Sequence, residues 1–143
     1  QDDPDVFTFS MHQQQLYPVK RKSELDIGLK NFADDTIYLR HLQSAIPRIY
    51  DEHKPEFIVY VAGADPYKDD QLGNLQLTKE GLQSRDALVL NEAADRGIPV
   101  MITLAGGYAI DLRDTVEIHV NTAVAAFEAS RRYPVEIAHG SRR

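Results

Sequence analysis

Two short apolar runs constrain this chain more than any other feature: Phe57-Ile58-Val59-Tyr60-Val61-Ala62 and Pro99-Val100-Met101-Ile102-Thr103-Leu104. Both are rich in β-branched residues and lack alternating polar positions, the pattern of a strand buried on both faces of a parallel sheet. Between them, Thr78 is placed as the N-cap of a helix with the apolar stripe Leu82, Leu88, Val89 and Ala93, which stops at Gly97. Strand, helix, strand in this order is a βαβ unit, and its crossover makes the two strands parallel.

The pattern extends in both directions. Residues 6–11 read as a strand after the turn-prone Asp2-Asp3-Pro4-Asp5, and the polar residues 12–22 as a surface loop. From Asp34, the positions Tyr38, Leu42, Ala45, Ile46 and Ile49 recur at helical spacing, with Pro47 expected to kink the helix. Acidic Asp34 and Asp35 suit its N-terminus, and His53 and Lys54 its C-terminus. A last helix is expected over residues 111–129 with Leu112, Val116, Val120, Ala123, Val124 and Phe127 facing inward. The predicted fold class is α/β, a three-layer αβα arrangement with a mostly parallel sheet covered on both faces. A chain of 143 residues supports one domain or part of one, so residues 1–143 are read as a single partial domain with a polar tail over 130–143. The chain opens on Gln1 rather than Met and enters the apolar Val6-Phe7-Thr8-Phe9 within a few positions, so it is expected to begin inside a larger domain.

Composition narrows the function classes. A net charge of -6 argues against a sequence-independent grip on nucleic acid and is compatible with a basic or polyamine-like substrate. With no cysteine, thiolate chemistry and cysteine-held zinc are excluded, so any metal must be held by histidine or carboxylate. The same lack fits a cytoplasmic location. No run of apolar residues is long enough to span a bilayer, and no basic-then-apolar leader is visible.

In open parallel sheets, ligands sit outside the carboxyl ends of the strands, and two segments occupy such ends here. In Gly63-Ala64-Asp65-Pro66, an aspartate just past a buried strand is aimed at the crevice, a good place for a metal ligand; equally, it could cap its own loop through an Asx-turn. In Ala105-Gly106-Gly107-Tyr108, two glycines let the backbone approach a ligand and leave one phenol at the strand end. That phenol could donate to a developing oxyanion or could simply be a packed aromatic in a tight turn. None of the five histidines forms a recognisable zinc pair, and neither dinucleotide nor P-loop fingerprints occur.

Together these segments resemble the zinc-dependent deacetylase superfamily of histone deacetylases, acetoin utilisation proteins and acetylpolyamine amidohydrolases. The resemblance runs in family order from Phe7-Thr8-Phe9-Ser10-Met11-His12 through Leu16-Tyr17-Pro18, Asp34-Asp35, Tyr38-Leu39, Gly63-Ala64-Asp65 and Asp70-Gln71-Leu72-Gly73 to Gly106-Gly107-Tyr108. It is most similar to the bacterial and class IV-like branch and implies the C-terminal half of an arginase/deacetylase-type fold.

The resemblance implies that Asp65 is one of three zinc ligands and that Tyr108 polarises the amide carbonyl. It places Gly106 and Gly107 beside the substrate channel, Tyr17 at an aromatic position near it, and Ser10 in the vicinity of a monovalent cation such as potassium. It further implies that the other two zinc ligands and the paired histidines that activate water belong to family motifs upstream of the matched region. The expectation is therefore a fragment of a hydrolase acting on an acetylated amine or peptide, inactive alone. A cut sheet leaves uncovered apolar surface, so a homo-oligomer or association with the missing N-terminal half is expected, with neither nucleic acid nor membrane as partner. The competing reading is a non-catalytic assembly module that reuses half of the fold.

Overall fold

The computed structural model describes residues 3–16 and 21–133. The elements run β1 (Phe9–Gln13), β2 (Leu25–Leu29), α1 (Asp35–His53), β3 (Ile58–Gly63), α2 (Lys79–Asp95), β4 (Val100–Ala105) and α3 (Leu112–Ser130). Strands β1 and β2 pair in parallel, as do β3 and β4, in two separate two-stranded sheets.

Each helix begins where a short polar side chain replaces a missing intrahelical partner. Asp34 accepts from Ile37 N, Thr78 from Gly81 N and Asp111 from Arg113 N. Helix α1 continues through Pro47 and ends with Lys54 in the left-handed region at φ 45°. Helix α2 stops at Gly97, whose φ of 69° an L-residue adopts only with strain.

The core lies on one side of β3 and β4. Tyr38, Leu42, Ile46 and Ile49 of α1 and Leu82, Val89 and Ala93 of α2 are buried against Ile58, Tyr60 and Val100. Helix α3 joins this layer through small residues, Ala125 and Ala129 meeting Leu90 and Ala94 of α2 over Tyr60, Val100 and Ile102. At the start of α2, a Cβ on Gly81 would overlap the Asp35 carboxylate, which accepts from both the N–H and the hydroxyl of Thr78. Glycine there lets the two helix N-termini meet.

Three expectations change. The first strand is Phe9–Gln13 rather than 6–11, and it has a partner, β2, within a stretch to which the sequence pattern assigned no strand. The run at β3 is not buried on both faces: Val59 and Val61 are 55% and 60% exposed, beside Met101 at 48%. The α3 stripe Val116, Val120, Val124 and Phe127, with Leu112 and Ala123, points outward, while Thr115, Ile118, Thr122, Ala125 and Ala129 point in. Each exposure follows from how the helices pack. Close packing of α3 on α2 selects its small residues, and the helical layer covers only the face of the sheet that carries Ile58 and Tyr60. The expected polar tail falls mostly on residues 134–143, outside the described residues.

Candidate active site

Asp65 and the turn bearing Tyr108 lie at the carboxyl ends of neighbouring parallel strands. The ladder continues one step past the strands, Ala64 N donating to Ala105 O at 3.0 Å, and thus sets the two exits side by side. Gly106 and Gly107 follow with φ of 59° and 108°. A Cβ on Gly106 would overlap Asp65 Oδ1, and one on Gly107 would press on Ala64 and Thr115. The glycines are therefore required twice over, by backbone conformation and by the carboxylate lying against them.

Past Asp65 the chain makes a compact loop. Tyr67 is buried, its hydroxyl 3.2 Å from Asp114 Oδ2. Desolvation, reinforced by the carboxylates of Asp69 and Asp114, pushes its phenol up to about 12. Asp70 is also buried and turns its carboxylate inward, Oδ1 accepting from Leu72 N and Gly73 N at 2.9 Å and Oδ2 from Tyr108 N at 2.7 Å. Gln71 N and Gln71 Nε2 both donate to Tyr108 O at 3.0 Å, and Ile110 N donates to Asp69 O at 3.0 Å. The backbone of Tyr108 is thereby held from both sides while the residue as a whole is 63% exposed. A third strand end joins the same edge: buried Gln13 of β1 accepts from Asn74 N at 2.8 Å and donates to Asn31 Oδ1 at 2.9 Å.

Beneath this edge lies a buried polar centre. Arg85 Nη1 donates to the Gly63 carbonyl at 2.6 Å, and Arg85 Nε donates to Asp86 Oδ1 at 2.8 Å. Its Nη2 also lies 2.8 Å from that oxygen but without hydrogen-bonding geometry. Tyr60 donates to Asp86 Oδ1 at 2.5 Å, and Thr122 to Oδ2 at 2.6 Å. Burial raises the Tyr38 and Tyr60 phenols, with the neighbouring Arg85 opposing the rise, so both remain neutral.

Of the positions singled out in the sequence, Asp65, Gly106, Gly107 and Tyr108 come together at one edge. Ser10 lies on β1, opposite Asp26 of β2, its hydroxyl 2.7 Å from His12 Nδ1. Tyr17 lies outside the described residues. Sequence reasoning quoted Asp70 and Gln71 only as parts of a motif and did not single out Arg85 or Asp86. The available signal was a charged Arg-Asp pair at positions 85 and 86, inside the turn of α2 that continues the stripe begun by Leu82.

The profile of the histone deacetylase domain matches residues 1–123. The chain belongs to the histone deacetylase family. It is 42% identical over 120 residues to an uncharacterized protein of Picosynechococcus, a match covering 83% of this chain and 40% of that protein. It is 30% identical over 117 residues to histone deacetylase 2 of Arabidopsis thaliana, covering 75% of this chain and 29% of the relative. The chain thus spans well under half the length of these curated relatives. Among solved structures, the histone deacetylase Clr3 superposes with a TM-score of 0.70 at 20% identity, covering 89% of this chain and 23% of the other. An acetylpolyamine aminohydrolase from Burkholderia pseudomallei superposes with a TM-score of 0.67 at 19% identity, covering 87% and 37%. At such identities the superpositions establish the fold, and the α/β architecture with parallel strands is that of the deacetylases.

Family membership raises the matter of a metal. Among the described residues, no group of three or more His, Cys, Asp or Glu is placed to hold an ion. Asp70, the buried carboxylate of the same loop, has both oxygens engaged by backbone N–H groups. The described residues therefore do not by themselves make a three-ligand zinc site. No helix is long and apolar enough to cross a membrane among the described residues.

Proposed function

We propose that this chain is the C-terminal part of a metal-dependent deacetylase hydrolysing an acetyl amide of the acetyl-lysine or acetylpolyamine type, and that it is inactive alone. The observation that carries the reading is the juxtaposition at the strand ends: the Asp65 carboxylate against Gly106, two residues before an exposed Tyr108 whose backbone is clamped. In this reading Asp65 contributes one ligand to a zinc site whose other ligands come from outside these 143 residues. Tyr108 donates a hydrogen bond from its hydroxyl to the amide oxygen as negative charge develops there. Its fixed backbone makes that donor preorganised, which is the property that lets one hydrogen bond act on a rate. Gly106 and Gly107 present backbone rather than side chain to the acyl-amine stem, Tyr17 stands near that channel, and Ser10 lies in the vicinity of a monovalent cation such as potassium. Residues 1–143 form a single partial domain, and the place of action is the cytoplasm.

Calorimetric titration of the chain with zinc should show neither stoichiometric nor tight binding; tight binding at one ion per chain contradicts inactivity through missing ligands. The catalytic part is tested in a polypeptide joining this sequence to the remainder of a deacetylase domain. There, Tyr108→Phe should lower kcat on an acetyl-lysine peptide or an acetylpolyamine by roughly 100- to 1,000-fold, the cost of one oxyanion donor. An unchanged kcat removes Tyr108 from the chemistry.

A second reading, a non-catalytic assembly module, draws on the uncovered apolar residues of β3, β4 and α3. It gains if the separate chain binds the remainder of a deacetylase domain tightly while the joined polypeptide hydrolyses neither substrate.

A further inference from the structure

The geometry points to Asp70 as a positioning residue that joins the Asp65 loop to the Tyr108 turn and sets how the phenol is presented; it rests on the deacetylase reading of that site. The loop after β3 carries aspartates at 65, 69 and 70, and they differ in what their oxygens face. Asp65 is exposed at the crevice. Asp70 is 8% exposed and gives both oxygens to backbone N–H groups, Oδ1 to Leu72 and Gly73 and Oδ2 to Tyr108. One carboxylate thus closes its own loop and reaches across to the next.

The need for such a clamp follows from what precedes Tyr108. Gly106 and Gly107 adopt φ values of 59° and 108°, conformations open to glycine at little steric cost but from which it departs as easily. Two such residues in succession leave the direction of the following side chain poorly determined by the backbone itself. Tyr108 N–H is the first amide beyond them, and the 2.7 Å bond to Asp70 Oδ2 fixes it. Gln71 adds bonds from its N–H and its amide to the Tyr108 carbonyl, and Asp70 pairs with Ala109 in a short antiparallel bridge. The bridge aligns the two segments, while the carboxylate alone connects the turn at 72 and 73 to the amide of Tyr108.

The role calls for a carboxylate. Asparagine at this position keeps one acceptor and replaces the other with a donor. If its oxygen retains the two bonds to Leu72 and Gly73, its NH2 group confronts the Tyr108 N–H.

Two measurements test this. In the wild-type chain, nuclear magnetic resonance should detect scalar coupling across the hydrogen bond from the Tyr108 amide to the Asp70 carboxyl carbon. No coupling overturns the proposal without any variant having to fold. In Asp70→Asn, exchange protection of the Tyr108 amide should fall by roughly 10- to 100-fold, the range of a charge-assisted hydrogen bond. Asp34→Ala, which uncaps α1, is the control: it lowers stability elsewhere and leaves the Tyr108 amide resonance in place. An unmoved Tyr108 amide in Asp70→Asn likewise overturns the proposal.

In the joined deacetylase polypeptide, Asp70→Asn should lower kcat more than it changes KM. Asp70→Asn combined with Tyr108→Phe should be no slower than Tyr108→Phe alone, because Asp70 acts through the tyrosine. Additive losses overturn that route of action. If neither substrate is hydrolysed by the wild type, the deacetylase reading falls, while the amide measurements still decide whether Asp70 holds Tyr108.

Discussion

The two faces of the β3–β4 sheet belong to different kinds of surface. On one, Tyr60 reaches Asp86 beneath α2, and the side chains of α1 and α2 bury Leu77 and Leu82 to 0% and 1% exposure. On the other, Val59, Val61 and Met101 stand half to two-thirds exposed, although they are as apolar as the residues that point the opposite way. The outer stripe of α3 repeats the contrast against its own inner stripe. Apolar character therefore does not distinguish the filled side from the open one. What distinguishes them is whether a covering layer is present, and among the described residues the helices pack against the Ile58 and Tyr60 face. Exposed apolar residues gathered on one face, as Val59, Val61 and Met101 are, form the kind of surface that interactions with other protein cover.

The sharpest way to break the contrast is to attack the filled side at its polar centre. Asp86→Ala removes the acceptor shared by Arg85, Tyr60 and Thr122 and leaves the buried guanidinium without its counter-charge. The expected loss is about 3–5 kcal/mol, the cost of stranding one member of a buried pair. Urea denaturation of the chain measures it. A loss below about 1 kcal/mol would mean that the centre is wetter than its geometry indicates, and the filled side would lose its special status.

The open side should answer differently. Val61→Lys and Val120→Lys replace residues already 60% and 54% exposed, so each should change the stability of the chain by no more than about 0.5 kcal/mol. Leu82→Ala on the filled side should cost about 2–5 kcal/mol. The effect of the lysines should appear in association instead. Wild-type chain is expected to run as a dimer or larger species in light scattering, and the lysine variants as smaller ones. A monomeric wild type removes self-association as the way these residues are covered.

These differences also mark how far the residues alone could be followed. Helix starts were legible because a cap is a local device, and Asp34, Thr78 and Asp111 each stand at the position their side-chain oxygen requires. The strand ends bearing Asp65 and Tyr108 were legible because glycine and proline punctuate them. Strand β2 was not, because Leu25-Asp26-Ile27-Gly28-Leu29 includes two poor strand formers and takes its conformation from pairing with β1. The orientation of α3 was misjudged for a related reason. Its sequence holds two stripes, one of large aliphatic residues and one of Ile118, Thr122, Ala125 and Ala129, and periodicity cannot say which of them meets α2. Asp70 was hidden more deeply still, since its significance lies in an amide 38 residues away.

The smallest expected effect concerns a second arginine–aspartate pair, and it sharpens the comparison because its chemistry matches that of Arg85 and Asp86 while its surroundings do not. Asp111, the N-cap of α3, accepts from the Arg113 N–H at 2.9 Å and from its guanidinium at 2.6 Å, in solvent. The Arg113 side chain first, and its backbone N–H second, hold the Asp111 carboxyl down at about 2. Because the folded value lies below the unfolded one, the group stabilises the fold fully only above the unfolded aspartate range near ~4, and the contribution disappears as pH falls through about 2. Thermal melts of wild type and Asp111→Ala should therefore differ at pH 5 and converge toward pH 2. In Arg113→Ala the contribution should be smaller and its loss complete at a higher pH, since the backbone N–H remains as a partner but the guanidinium does not. Solvent screening keeps the whole effect small beside that of Asp86→Ala. If the two aspartate variants lost equal stability at pH 5, burial would not be what separates the two pairs, and the contrast between the filled and open sides would need another physical basis.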